Sequence, residues 1–333
     1  MNTPARIYIV DHEGMVGAAL RRHLLVQGHP THHTILRSRS QLDLGNQAAV
    51  QALLLTERPD QIYLPLPGGV PGPSQREGEH FLAQLHGLSH VIEAAYRARV
   101  RRLVFIGSAH IYPLKALVPV AEEDLLSGPL DPRSETLALA QIAAIKLCER
   151  ISRQPGSAGL PYQYRCLITA TAFGAGDDPL RPGAGPVAQL IHRLQRAKML
   201  DEASLQLEPD WPAELELLHT DDIARAASLL MQLDPVAYRT QTPPGIGHSN
   251  AGSGRTRALP DLAAHLANLV GYTGSIVPAH ASTAQAHPGR LLDSHRMHHW
   301  GWRPTQDTHD ALARTYFDHL ADQHSARARS QAA

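Results

Sequence analysis

The sequence predicts an α/β fold: a doubly wound, Rossmann-type parallel sheet followed by a smaller, discontinuous α/β lobe. Three observations carry this. Short β-rich apolar runs alternate with longer helical patterns through the first half of the chain. The first run leads at once into a glycine-spaced turn and a helix, and from about Phe173 the alternation gives way to Pro/Gly-rich loops with separate helices. Alternating units of this kind make right-handed crossovers between parallel strands, and ligands of such sheets sit at the carboxyl ends of the strands.

In chain order, Arg6 to Val10 reads as the first strand. Gly14-Met15-Val16-Gly17 and a helical pattern from Ala18 to Val26 follow, ended by Gly28. His33 to Leu36 is the second strand, Gln47 to Thr56 a helix, and Gln61 to Leu64 a third strand entered through Arg58-Pro59-Asp60. A Pro/Gly-rich loop, Pro65 to Pro73, leads to a helix from His80 to Arg99 and a buried-type strand, Arg102 to Ile106. Glu135 to Arg153 is a long helix and Tyr162 to Thr169 the next strand. Gly185 to Met199, Asp221 to Leu233 and Leu259 to Val270 are helices of the later region. The predicted division is a Rossmann-type domain over 1–172, a second lobe over 173–322 that returns in places to the first, and a frayed tail, 323–333.

Lys+Arg and Asp+Glu both number 31 in 333 residues, so no charge bias points to nucleic acid or to an anionic membrane. Only Lys115, Lys146 and Lys198 are lysines, which leaves three candidates for any lysine-dependent chemistry. The two cysteines, Cys148 and Cys166, fall in a predicted helix and strand. There is no apolar signal core at the start and no apolar run near the ~18 residues of a membrane span, so a cytoplasmic protein is expected.

Five runs, in order and similarly spaced, carry a resemblance: Asp11-His12-Glu13-Gly14-Met15-Val16-Gly17, Gly107-Ser108-Ala109-His110-Ile111-Tyr112-Pro113, Ile145-Lys146-Leu147-Cys148-Glu149, Leu218-His219-Thr220-Asp221-Asp222-Ile223-Ala224, and Arg290-Leu291-Leu292-Asp293 before Gly301-Trp302. From about residue 6 to about residue 320 the chain resembles the GDP-L-fucose synthase family, extended short-chain dehydrogenase/reductases of the NAD-dependent epimerase/dehydratase type. The resemblance implies a dinucleotide domain, then a substrate lobe. It also implies epimerisation and NADPH-dependent reduction of GDP-4-keto-6-deoxy-mannose by a homodimer joined through two long helices of the cofactor domain.

The residues that would do this chemistry are largely replaced. The family turn is Gly-x-x-Gly-x-x-Gly, which lets backbone N–H groups approach a pyrophosphate. Here Asp11 stands at the first glycine, and Gly14 and Gly17 remain as cofactor-binding positions that a tight turn needs in any case. Two unit charges ~5 Å apart at an effective dielectric of about 20 repel by roughly 3 kcal/mol, about two orders of magnitude in affinity. Glu13 aligns with a family arginine that holds the 2′-phosphate, while Arg37 still matches another such ligand. NADPH is therefore expected to bind weakly at best, with NADP or NAD as cofactor only if the site works.

The family's acid/base Tyr-x-x-x-Lys aligns with Leu137 to Gln141, and none of the nine tyrosines has a lysine four residues later. Ser108 matches the catalytic serine, here vestigial. The Cys and His of the epimerase pair align with His110 and Gly185, so His110 is the one residual proton-transfer candidate. Among substrate contacts, the family Trp and Arg align with Glu208 and Leu215, and its Lys with Arg290. His295, His298 and His299 have helix-compatible spacing, but with 21 histidines in the chain a surface helix face is the simpler reading, and no metal site is expected. Gly247 to Ala251 is an incomplete nucleophile elbow that follows no clear strand.

The expectation is a GDP-L-fucose synthase-like protein with a degenerate site, a pseudoenzyme that binds a nucleotide-sugar or an active enzyme partner. The alternative is a working epimerase-reductase with relocated groups. The helix over 135–153 is apolar on more than one face, which points to a homodimer, or to a heterodimer with an active nucleotide-sugar enzyme.

Overall fold

The computed structural model describes residues 4–66, 76–154, 161–180, 184–208, 211–278 and 290–331, with side chains to residue 321. Residues 67–73 of the expected Pro/Gly loop lie outside them. The chain begins β1 (Ile7–Ile9), α1 (Met15–Val26), β2 (Thr34–Leu36), α2 (Gln47–Glu57), β3 (Gln61–Pro65), α3 (Glu77–Arg97), β4 (Arg102–Ser108), α4 (Glu135–Ser152) and β5 (Gln163–Thr169). Every residue of β1 and β5 is buried, as strands covered on both faces by helices require. The first helix starts three residues before the predicted Ala18, because Gly14 is its N-cap and Met15 to Gly17 already wind as helix. Asn46 caps α2 by accepting the Ala49 N–H at 3.1 Å.

Beyond β5 come β6 (Thr171–Phe173), α5 (Pro186–Met199), β7 (Ser204–Gln206), β8 (Glu214–His219), α6 (Thr220–Gln232), α7 (Pro235–Gln241), β9 (His248–Ala251), β10 (Thr256–Ala258), α8 (Leu259–Val270), β11 (Ser275–Val277), α9 (His295–His299) and α10 (Thr308–Gln331). The central sheet runs β2-β1-β3-β4-β5-β9, with all its pairs parallel. The direction of winding reverses between β1 and β3, so the crevice at their carboxyl ends is the topological switch point. Helices α1 and α6 pack together on one face, and α2, α3 and α4 on the other. The elbow-like run Gly247 to Ala251 is not a loop: His248 to Ala251 is the sixth strand, paired with Cys166 to Thr169.

A second apolar core joins α5, α8, β8 and α10 through Leu190, Ile191, Leu217, Leu262, Leu266 and Leu312. Two buried carboxylates, one on β8 and one on α6, tie their elements to segments returning from later in the chain. Glu216 of β8 accepts the N–H groups of Leu292 and Gly254, each at 2.8 Å. Asp222 of α6 accepts from Thr305 N, Thr305 Oγ1 and Gln306 N, each at 3.0 Å, and from Arg225 Nη1. The last helix continues to Gln331, into the stretch expected to fray. Among the described residues no helix is long and apolar enough to cross a membrane.

Candidate functional site

The candidate site is built at the carboxyl ends of two strands, β1 and β4. At the first, between β1 and α1, Asp11 adopts a left-handed φ of 49°, where the turn's first glycine would stand. Its carbonyl accepts the Gly14 N–H at 2.9 Å and closes the turn. The carboxylate folds over the helix N-terminus, with Oδ2 2.5 Å from where a Cβ on Gly14 would project. Gly17 is needed for packing alone, since a Cβ there would run into the Asp11 carbonyl. Arg39 clamps the carboxylate, Nε to Oδ1 at 2.9 Å and Nη2 to Oδ2 at 3.0 Å. That contact holds the Arg39 guanidinium above its ordinary pKa. Arg37, the expected phosphate ligand, is turned to Glu57 Oε1 at 2.5 Å and the Leu36 carbonyl at 2.8 Å. Glu57 also takes Arg6. A dinucleotide phosphate would need the room over Gly14 and an available cation. The residues present do not fit one.

At the second strand end, β4 delivers Ser108 opposite α4. Leu137 is buried in the helix wall, and one turn later Gln141, with no exposed surface, fills the position of the family lysine. The Gln141 amide is committed to Ser108: Oε1 accepts the Ser108 N–H at 2.7 Å, and Nε2 donates to Ser108 Oγ at 3.2 Å. Gly107 is the residue that makes room for it, because a Cβ there would lie 2.6 Å from Gln141 Oε1. The serine hydroxyl is therefore held by a neutral amide.

His110 follows in a 3-10 turn, Ala109–Ile111. Burial first, then the Arg290 guanidinium, pushes its imidazole down to about 4, with Asp131 pulling the other way and Arg133 adding to the drop. It is neutral at pH 7 and a weak base. Arg290 reaches the same turn, donating to the Ala109 carbonyl at 2.7 Å, which places it beside the segment that carries Ser108 and His110. Gly185 is the N-cap of α5, and its N–H points at Asp177 Oδ2 from 3.1 Å, with no side chain for proton transfer. Glu208 pairs with Arg193 at 2.9 Å, and Leu215 belongs to the second core. His295, His298 and His299 do share α9, and His298 stacks near Trp302. Among the described residues no group of three or more such side chains is placed to hold a metal ion.

Two features were missed from sequence. Arg39 lies two residues beyond the arginine that was singled out. The other is a buried network behind His110: Tyr112 O–H donates to Asn250 Oδ1 at 2.5 Å, leaving His248 Nε2 to donate to the phenol oxygen at 3.0 Å. Asn250 N–H reaches Glu122 Oε1 at 3.0 Å, and burial raises that carboxyl to about 7 with Arg296 opposing. Burial also drives the Tyr112 hydroxyl well above 10, and its O–H is engaged inside this network with Asn250.

Residues 7–239 match the model of the NAD dependent epimerase/dehydratase family. GDP-L-fucose synthase of Escherichia coli (strain K12) is 34% identical over 313 residues, 93% of this chain and 95% of that protein. A GDP-6-OMe-4-keto-L-xylo-heptose reductase from C. jejuni superposes with a TM-score of 0.87 at 24% identity, covering 97% of this chain and 99% of that one. MlghC, a GDP-mannoheptose C4 reductase from Campylobacter jejuni solved with NADP bound, gives 0.82 at 25% identity, covering 96% and 99%.

Proposed function

The chain belongs to the NAD dependent epimerase/dehydratase family, alongside the GDP-L-fucose synthases, and from that premise we propose that it is a GDP-sugar epimerase/reductase homologue that binds a GDP-sugar without reducing it. The observation that carries this is the pair of residues on α4. A buried Leu137 stands where the acid/base hydroxyl belongs, and Gln141 spends its amide on Ser108. General acid catalysis contributes ~10²–10⁴ in rate, and Ser108 is hydrogen-bonded by the neutral Gln141 amide; the neighbouring Thr169 hydroxyl is spent on the Gly107 carbonyl at 3.2 Å. Arg290 and the neutral His110 remain to meet a sugar diphosphate. Calorimetric titration with GDP and with GDP-fucose tests it: saturable binding of either is expected, and silence with both would leave only an enzyme partner as ligand.

A second reading, an active GDP-sugar epimerase-reductase with relocated groups and NADP as cofactor, is favoured by the relatives being named enzymes over 93% of the chain. It predicts NADPH oxidation dependent on the 4-keto sugar.

The protein is further proposed to act as a homodimer, or as a heterodimer with an active paralogue, through α3 and α4. Most of the apolar residues counted on α4 are inside the subunit, Leu137, Ile142, Ala144, Ile145 and Cys148 among them. What is exposed is a thinner stripe of Leu139 and Ala143, and α3 exposes Leu82 and Tyr96. The two free, fully buried cysteines fit a reducing cytoplasm.

A further inference from the structure

We infer that the β1–α1 turn is closed against dinucleotides by the chain's own anion: the Asp11 carboxylate stands in the phosphate cradle and Arg39 locks it there. A phosphate-binding turn works by offering backbone N–H groups at a helix N-terminus, with free space above the second glycine. Here α1 has no side-chain cap on Gly14 and no acidic residue in its first turn, so the helix end itself is suited to a negative charge. The group that takes up this place comes from within. The Asp11 side chain is only 9% exposed and lies over Gly14, and both its oxygens face the fork of Arg39.

The lock also consumes the cations. In this fold an arginine near the end of β2 is what accommodates a 2′-phosphate. Arg39 is held by Asp11 and Arg37 by Glu57, while the exposed Glu13 adds a further negative charge felt by Arg39. An entering NADPH would have to part the Asp11–Arg39 pair and set its phosphates against a carboxylate. At an effective dielectric of about 20 this amounts to roughly a hundredfold loss of affinity. The inference concerns the dinucleotide turn alone and does not depend on whether the sugar crevice binds GDP.

Asp11 sits at a positive φ that Asn tolerates as well as Asp, so Asp11→Asn keeps the shape and removes the charge, while Asp11→Gly removes both. The experiment is calorimetric titration of NADPH into wild type, Asp11→Asn, Asp11→Gly and Arg39→Ala, each checked for native circular dichroism. Wild type is expected to show no saturation below millimolar NADPH. Asp11→Asn should gain at least tenfold, Asp11→Gly as much or more, and Arg39→Ala, which keeps the carboxylate and loses its partner, should gain nothing. Micromolar binding by wild type would overturn the inference, as would folded Asp11 variants that bind no better, or Arg39→Ala binding tenfold tighter. GDP titrated into the same samples reads the sugar crevice separately, so a failure there is not mistaken for a failure here.

Discussion

Gly107→Ala is the substitution that most directly tests whether Gln141 holds the end of β4. The added methyl would lie 2.6 Å from Gln141 Oε1, 3.0 Å from Ile168 Cδ1 and 3.1 Å from Phe105 Cε1, all inside a buried wall. The amide is the movable neighbour, but moving it strands the Ser108 N–H that it accepts at 2.7 Å. Overpacking of this size costs about 1–3 kcal/mol, and an unmet polar group about 1–3 kcal/mol more, so a loss of roughly 3 kcal/mol is expected. Gln141→Ala alone strands the same N–H and should lose about 1–3 kcal/mol. In the double variant the methyl enters the space the amide has left, so the two losses should not add; a coupling of about 1–2 kcal/mol is expected. Urea midpoints of the four proteins, compared at constant m-value, measure it. Additivity within about 0.5 kcal/mol would show that Gln141 does not occupy this place.

Three further outcomes are expected. Asp222→Ala strands the Thr305 and Gln306 N–H groups and Arg225, and should cost about 3–5 kcal/mol, with hydrogen exchange at those two amides accelerated first. Burial, with Arg296 and Lys146 nearby, lowers the fully buried His248 to about 3; the unfolded chain takes up the proton first as pH falls, so His248 stabilises the fold above about 6.5 and progressively less toward 3. The advantage of wild type over His248→Gln should therefore shrink by up to about 1.4 kcal/mol per pH unit across that window, and a pH-independent difference would refute the assignment. Ala143→Glu, on the exposed stripe of α4, should convert a dimer to a folded monomer in light scattering, whereas Ala144→Glu, at 3% exposure, should lower the melting temperature outright; equal behaviour of the two would put the interface elsewhere.

The alternating units were legible because long helices and continuous apolar strands such as Gln163 to Thr169 announce themselves by periodicity. Strand β9 was not, because its His, Ser and Asn give no strand signal; in the fold Tyr112, Glu122 and the Val120 carbonyl answer its Asn250. The loss of the acid/base pair was visible in the absence of any Tyr-x-x-x-Lys, which needs no coordinates. What Gln141 and Arg39 do instead was not visible, since each partner lies 33 or 28 residues away and only tertiary packing brings them together. The excess of apolar residues on α4 was read as an interface, yet most of it is taken up by β4, β5 and α3 within the subunit.

The most direct measurement is a single-turnover experiment with protein in excess over GDP-4-keto-6-deoxy-mannose, following NADPH absorbance. With Leu137 and Gln141 in place of an acid and a cation, no sugar-dependent loss of NADPH is expected over many minutes. Oxidation dependent on the sugar at an ordinary enzymatic rate, ~1 per second or faster, would contradict the proposal that the site binds without reducing.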